Sequence, residues 1–104
     1  MRQAKIFIDN QIAGILTEND EGYLFKYDAN YLAQKRKRPV SLTIPLQEGV
    51  LKSEFLFPFF DGLIPEGWLL DIAQKNWKLN PRDRMGLLLA TCKDCIGNIS
   101  VLPL

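Results

Sequence analysis

The 104-residue sequence contains no histidine. Histidine is the commonest general acid–base residue and a frequent metal ligand, so its absence removes the usual route to such chemistry. Three serines are present, and no candidate base lies near any of them in the sequence. The phosphate-binding pattern G-x-x-x-x-G-K-[ST] is missing, as are a kinase catalytic loop and D-F-G. We therefore expect a protein that is not an enzyme and that needs no cofactor.

Cysteine is also scarce, because Cys92 and Cys95 are the only two and form a single C-x-x-C pair. Two cysteines are too few for a disulfide scaffold. A zinc site would need two further ligands, and no other Cys or His remains to supply them. Redox pairs use the start of a helix, whereas this pair follows a predicted helix. We interpret both as core or loop residues, with a thiol enzyme as the weaker alternative.

The chain has little excess of charge and no long apolar run. Thirteen basic and twelve acidic residues give a net charge of +1, which demands neither nucleic acid nor membrane. No apolar stretch approaches the ~18 residues of a membrane span, and the start is unlike a signal peptide. With 47% hydrophobic residues, the sequence predicts one soluble cytoplasmic domain spanning residues 1–104.

The most distinctive stretch is residues 54–67, E-F-L-F-P-F-F-D-G-L-I-P-E-G, which holds four of the six phenylalanines and is called the hub below. Pro58 cannot donate to a strand ladder, and residues 60–62 predict a turn or one short helical turn. Pro65 then suits the first position of a helix, followed by Glu66. The hub is interpreted as the hydrophobic centre of a small domain. Alternatively, this stiff apolar loop partly faces a partner.

Apolar periodicity predicts strands first and helices later. Strands are expected at Ala4–Asp9 and Ile12–Thr17, and a third with aromatic residues at 23, 25 and 27; short turns would make them an antiparallel meander. Further expected elements are a short helix at 29–34, a short strand at 40–44, helices at 66–77 and 81–91, and a last strand at 96–102. The second long helix would be capped by Asn80. The predicted fold class is α+β: a small twisted antiparallel sheet, partly barrel-like, with two main helices.

A basic run precedes Pro39 and carries four of the thirteen positive charges; its members are Lys35, Arg36, Lys37 and Arg38. We interpret the run as a solvated loop kept open by charge repulsion. The alternative is a secondary contact with phosphates or with an acidic partner surface. No aromatic residue is interleaved, so the run is a weak nucleic-acid signal and predicts no sequence-specific DNA binding.

Four motifs resemble the amino-terminal subdomain of HipA-type serine/threonine kinases. The hub segment F-F-D-G-L-I-P-E-G is similar to the family's F-F-x-N-L-L-P-E-G. Residues 22–32, 39–46 and 94–103 resemble its F-x-Y-D-x-x-Y-L, P-x-S-x-x-L-P-L and D-C-x-G-A-V segments, in the same order. Cys92 and Asn98 depart from the family pattern, where Gly and Ala are usual, and affect the expected local turn.

The resemblance implies an interaction module. As a free-standing version of this subdomain, the chain resembles HipS-type proteins of three-gene HipBST toxin–antitoxin systems. The implied partners are a HipT-like serine/threonine kinase, which the chain would bind and neutralise, and a HipB-like helix-turn-helix DNA-binding protein in a larger complex. The alternative is an activating or structural subunit that completes a split HipA-like kinase.

The predicted partner surface combines the hub with Trp68, which the helical wheel places toward the polar side of its helix. A large aromatic residue there is typical of an interface hot spot. The alternative is that Trp68 folds back onto the core. The predicted contact residues are Phe59, Phe60, Asp61, Leu63, Ile64, Pro65, Glu66 and Trp68.

The missing nucleotide and catalytic motifs generate the first prediction. The isolated protein should bind no Mg-ATP and phosphorylate nothing, since it has neither a phosphate loop nor a metal-binding catalytic motif. Isothermal calorimetry with Mg-ATP measures this, and saturable micromolar binding would contradict it.

Overall fold

The structure, a computed structural model, describes residues 1–35, 37–64, 82–92 and 98–104. Within these ranges there are five strands and three short helices: β1 (Arg2–Ile8), β2 (Gln11–Asn19), β3 (Gly22–Tyr27), α1 (Ala29–Leu32), β4 (Leu51–Ser53), α2 (Pro58–Asp61), α3 (Arg84–Thr91) and β5 (Ile99–Pro103). The strands form one antiparallel sheet in the order β4-β3-β2-β1-β5. The α+β class and the meander are thus confirmed, and the described sheet is open rather than closed into a barrel.

The first hairpin forms where the alternating pattern predicts it. β1 buries Ala4, Ile6 and Ile8 on one face of the sheet. The connecting residues Asp9 and Asn10 have φ of 52° and 66°. Asp and Asn tolerate this left-handed region better than most residues, and such a turn matches the twist of the flanking strands.

The core lies between the inner sheet face and the helices, and Phe25 of β3 is at its centre. A Cβ on Gly14, in the neighbouring strand, would lie 2.6 Å from the Phe25 ring and 2.5 Å from the Lys26 carbonyl oxygen. Only glycine leaves room for this approach of ring and backbone. The Phe25 ring meets the ring of Phe60 from α2 at 5.7 Å between centroids. α2 is therefore seated directly on the sheet.

The strand predicted at 40–44 is wrong, because this segment is a loop tied to the sheet by a tyrosine. The Tyr27 hydroxyl accepts a hydrogen bond from the Val40 N–H at 2.9 Å and donates one to the Ile44 carbonyl. Val40 and Ile44 are buried, whereas Leu42 between them is 98% exposed at the tip of a turn. In this segment, hydrogen bonds between the backbone and the Tyr27 hydroxyl take the place of hydrogen bonds to a neighbouring strand.

The fourth strand is instead β4, which the sequence analysis did not predict. Its three residues pair with β3 just before the hub. Within the hub, Pro58 begins the one-turn helix α2. This confirms the short helical turn predicted around residues 60–62.

The predicted start of the second long helix is also wrong. α3 begins at Arg84, and its N-cap is Asp83 rather than Asn80; the Asp83 carboxylate accepts the Gly86 N–H at 3.1 Å. The same carboxylate accepts two hydrogen bonds from Arg2 of β1, at 2.6 and 2.9 Å. A carboxylate paired in this way to the sheet fixes the helix start more strongly than the general cap preference of Asn.

The Arg2 guanidinium lowers the pKa of Asp83 below its ordinary value. Because the folded-state pKa is the lower one, the pair stabilises the fold above the ordinary aspartate pKa. That contribution is lost as the pH falls toward the lowered value.

α3 closes the fold against β5. Met85, Leu87 and Leu88 are fully buried, whereas Leu89 is only partly buried. The Cys92 carbonyl at the end of α3 accepts the Val101 N–H of β5 at 2.9 Å. This bond occupies part of the outer edge of β5, and Pro103 contributes no N–H to that edge.

Several predictions fall outside the described residues: the helix at 66–77 with Trp68, the residues Asn80 and Cys95, and the first part of the last strand. Across the described part of the chain, no helix has the length and apolarity required to cross a membrane.

The tyrosine-tied loop generates a stability prediction. Tyr27→Phe should lower the free energy of unfolding by about 1–3 kcal/mol, because it leaves the Val40 N–H and the Ile44 carbonyl buried without that partner. Tyr23→Phe is the matched control; its hydroxyl donates to Glu18 at 3.1 Å in a part-exposed position, and its loss should cost about 1 kcal/mol or less. Urea unfolding followed by circular dichroism compares the two. Equal losses would show that the loop is not held by Tyr27.

Candidate functional site

The hub is divided between the core and the surface. Phe60 is fully buried, with its ring centroid 5.4 Å from that of Phe59 and 6.2 Å from that of Phe57. Ile64 is 2% exposed, whereas Phe55 is 77% exposed. Successive helical residues point about 100° apart, so one turn directs Phe60 inward and leaves Phe59 near the surface. Both interpretations of the hub, as core and as exposed apolar surface, therefore apply to different residues within it.

Among the predicted contact residues, three keep accessible surface in the described part of the chain. Phe59 and Leu63 are half-buried against the core. Asp61 accepts a hydrogen bond from Arg84 Nε at 2.6 Å, in a partly exposed ion pair that ties α2 to α3. Phe60 and Ile64 lie in the core and would support a contact surface from beneath. The structure does not describe the remaining three, Pro65, Glu66 and Trp68.

Phe59 and Leu63 line a groove of about 380 Å³, called the hub groove below. Its walls come from three parts of the chain: the hub, the loop after the basic run, and the end of the sheet where β1 finishes and β5 begins. The residues lining it are Ile8, Arg38, Pro39, Val40, Phe59, Leu63, Asn98 and Ile99. Most of the lining is apolar, with the Arg38 guanidinium as its cationic group.

The basic run is thus not uniform. Lys35 and Lys37 are exposed, Arg38 lines the hub groove, and Arg36 lies outside the described residues. The Tyr31 hydroxyl donates to the Arg38 carbonyl at 2.7 Å and accepts from the Arg38 N–H at 3.2 Å. The backbone of Arg38 is consequently fixed, while its side chain is 56% exposed. The exposed side chains agree with the solvated loop predicted for this run, and the bonds to Tyr31 add a backbone anchor at Arg38.

The sequence predicted contact residues on the hub side of this groove, and on the opposite wall it predicted only Arg38, as part of a possible secondary contact. Val40 fell in the strand predicted at 40–44, and Ile8 and Ile99 fell in the first and last predicted strands. Tyr27 is the one signal that could have located the wall, since a tyrosine facing the core needs a hydrogen-bond partner for its hydroxyl. Burial raises the Tyr27 pKa, consistent with a neutral hydroxyl bonded to the loop.

Nothing in the described geometry indicates bond-making chemistry. Cys92 is 1% exposed, and its thiol donates to the Leu63 carbonyl at 3.2 Å, which places it in the core beneath the hub. Across residues 1–35, 37–64, 82–92 and 98–104, no three His, Cys, Asp or Glu side chains converge as a metal site would require.

Comparison with known proteins identifies the family. The profile of the HipA N-terminal domain matches residues 4–102, and the chain belongs to that family. A solved structure described as the N-terminal domain of HipA toxin superposes with a TM-score of 0.73 at 26% identity, covering 100% of this chain and 93% of that one. An uncharacterized protein of Haemophilus influenzae is 29% identical over 101 residues, covering 97% of this chain and 92% of the relative.

Family membership confirms the resemblance seen in the four motifs and gives the chain a HipA-related toxin–antitoxin context. The N-terminal domain is not the catalytic part of HipA kinases, in keeping with a role other than catalysis.

Proposed function

We propose that this protein is an antitoxin-like module that binds and neutralises a HipA- or HipT-type serine/threonine kinase. A HipB-like helix-turn-helix protein would join the pair in a larger complex and supply the DNA contact. The observation that carries the proposal is the match to the HipA N-terminal domain over residues 4–102, in a chain whose sequence holds no kinase motif.

The hub groove is the proposed kinase-binding surface. Phe59 and Leu63 keep some apolar area exposed in the isolated chain, so a partner that covers this area gains hydrophobic stabilisation. The rings beneath them are buried and packed edge-to-face, so the surface is rigid before binding. A rigid surface loses little conformational entropy on docking. Trp68, five residues after Leu63, extends this surface in the proposal.

Co-expression with a candidate HipA- or HipT-type kinase separates neutralisation from activation. The proposal predicts that a kinase that arrests growth alone no longer does so when this chain is present. Growth arrest that appears only with both proteins would instead support an activating subunit of a split kinase. A kinase that arrests growth equally with and without the chain would contradict both.

A truncation of the proposed anchor generates a quantitative prediction. Trp68→Ala should weaken kinase binding by about 2 kcal/mol or more, as hot-spot truncations do, while the thermal midpoint changes little. Phe59→Ala should weaken binding in the same direction. Phe55→Ala is the matched control, since it removes a more exposed phenylalanine of the hub that does not line the groove.

Calorimetric titration of the purified kinase with each variant measures the affinities, and circular dichroism measures the fold. Binding by Trp68→Ala within twofold of wild type would show that Trp68 is not an anchor. An unfolded Trp68→Ala would assign this residue to the core.

A further inference from the structure

A second concavity adjoins the hub groove and differs from it in chemistry. It has a volume of about 280 Å³ and shares Ile8 and Arg38 with the hub groove. The rest of its lining is mainly polar and includes Gln11, Gln34 and Lys37. The two concavities share Arg38 in their linings, so an apolar half and a polar, basic half adjoin there; the pair is called the joint groove below.

Arg38 is presented at this junction in a fixed position. Its backbone N–H and carbonyl are both bonded to the Tyr31 hydroxyl, and the Tyr31 ring is stacked on Tyr27 with 6.3 Å between centroids. The guanidinium itself makes a long contact of 3.5 Å with Asp9, in a pair whose two side chains are each 56% exposed. Exposed pairs of this kind are weak, so a better-placed carboxylate can replace Asp9 at little cost.

We propose that the joint groove binds a linear acidic segment of a protein partner. An apolar side chain of the segment enters the hub groove beside Phe59 and Leu63, and a neighbouring carboxylate pairs with Arg38 in the geometry that guanidinium favours. Lys37 adds positive potential to the same half of the groove. That the segment belongs to the kinase rests on the proposed function. That the segment is acidic, with an apolar side chain beside the carboxylate, is inferred from the residues that line the groove.

A nucleic-acid strand fits the joint groove less well. The Asp9 carboxylate lies in the polar half and opposes a chain of phosphates, whereas one carboxylate of a peptide needs only the Arg38 position.

The test uses the isolated chain, so it does not depend on the kinase. The probe is the peptide acetyl-Leu-Ser-Glu-Glu-amide, titrated into isotope-labelled protein and followed by amide shifts in NMR. So short a ligand should bind with a Kd on the order of 1 mM, and the shifts should centre on Ile8, Leu63 and Ile99. Replacing both Glu by Gln, or Leu by Ser, should weaken binding by about tenfold.

Two protein variants provide the matched comparison. Arg38→Glu should weaken binding of the acidic peptide by about tenfold or more, because it replaces attraction with repulsion at the junction. Lys35→Glu makes the same change of charge in the same basic run but outside the groove, and should leave the affinity within about twofold. Both side chains are exposed, so both variants should remain folded by circular dichroism.

Four outcomes would overturn the inference: no shifts at saturating peptide, shifts centred on another face, equal effects of Arg38→Glu and Lys35→Glu, or tighter binding of a dT8 oligonucleotide than of the acidic peptide. Failure of the proposed function would be seen separately. If the chain binds the peptide as expected but leaves the kinase active, the joint-groove inference stands and only the neutralising role is contradicted.

Discussion

Two tyrosine hydroxyls determine the shape of the candidate binding surface. Tyr27, at the end of β3, holds the backbone of Val40 and Ile44, and Tyr31, one helical turn later, holds Arg38. These bonds place the 38–44 segment against the end of the sheet, where it forms the wall opposite the hub. Burial raises the cost of leaving such hydroxyls and backbone groups unbonded, so the arrangement is strongly favoured once the aromatic rings are in the core.

The hub contributes the other wall through a single helical turn. Pro58 ends the extended segment and begins α2, so that neighbouring phenylalanines take opposite roles. Phe60 joins Phe25 in the core, and Phe59 remains at the groove. The Asp61–Arg84 ion pair and the Cys92 thiol on the Leu63 carbonyl then connect this turn to α3. The binding surface is therefore supported by the core directly beneath it.

Sequence patterns predicted the parts of the fold that depend on local order. Alternation located β1, β2 and β3. The patterns failed where a side chain distant in sequence determines the conformation. The Tyr27 hydroxyl holds residues 40–44 as a loop, and the Arg2 guanidinium pairs with Asp83, the residue that caps α3. The composition of the hub predicted a hydrophobic centre, and the core position of Phe60 and Ile64 agrees with that. Arg38 was predicted only as part of a possible secondary contact, because its place opposite the hub depends on the tertiary bonds that Tyr27 and Tyr31 make.

We propose that the hub groove, rather than another exposed apolar position, contacts the kinase. Hydroxyl-radical footprinting of the chain alone and in complex with the kinase is the decisive measurement, because it reports side-chain accessibility residue by residue. Phe59, Leu63 and Pro39 should lose reactivity in the complex, while the more exposed Phe55 and Leu42 should keep theirs. Protection of Phe55 and Leu42 with unchanged reactivity at Phe59 and Leu63 would contradict it.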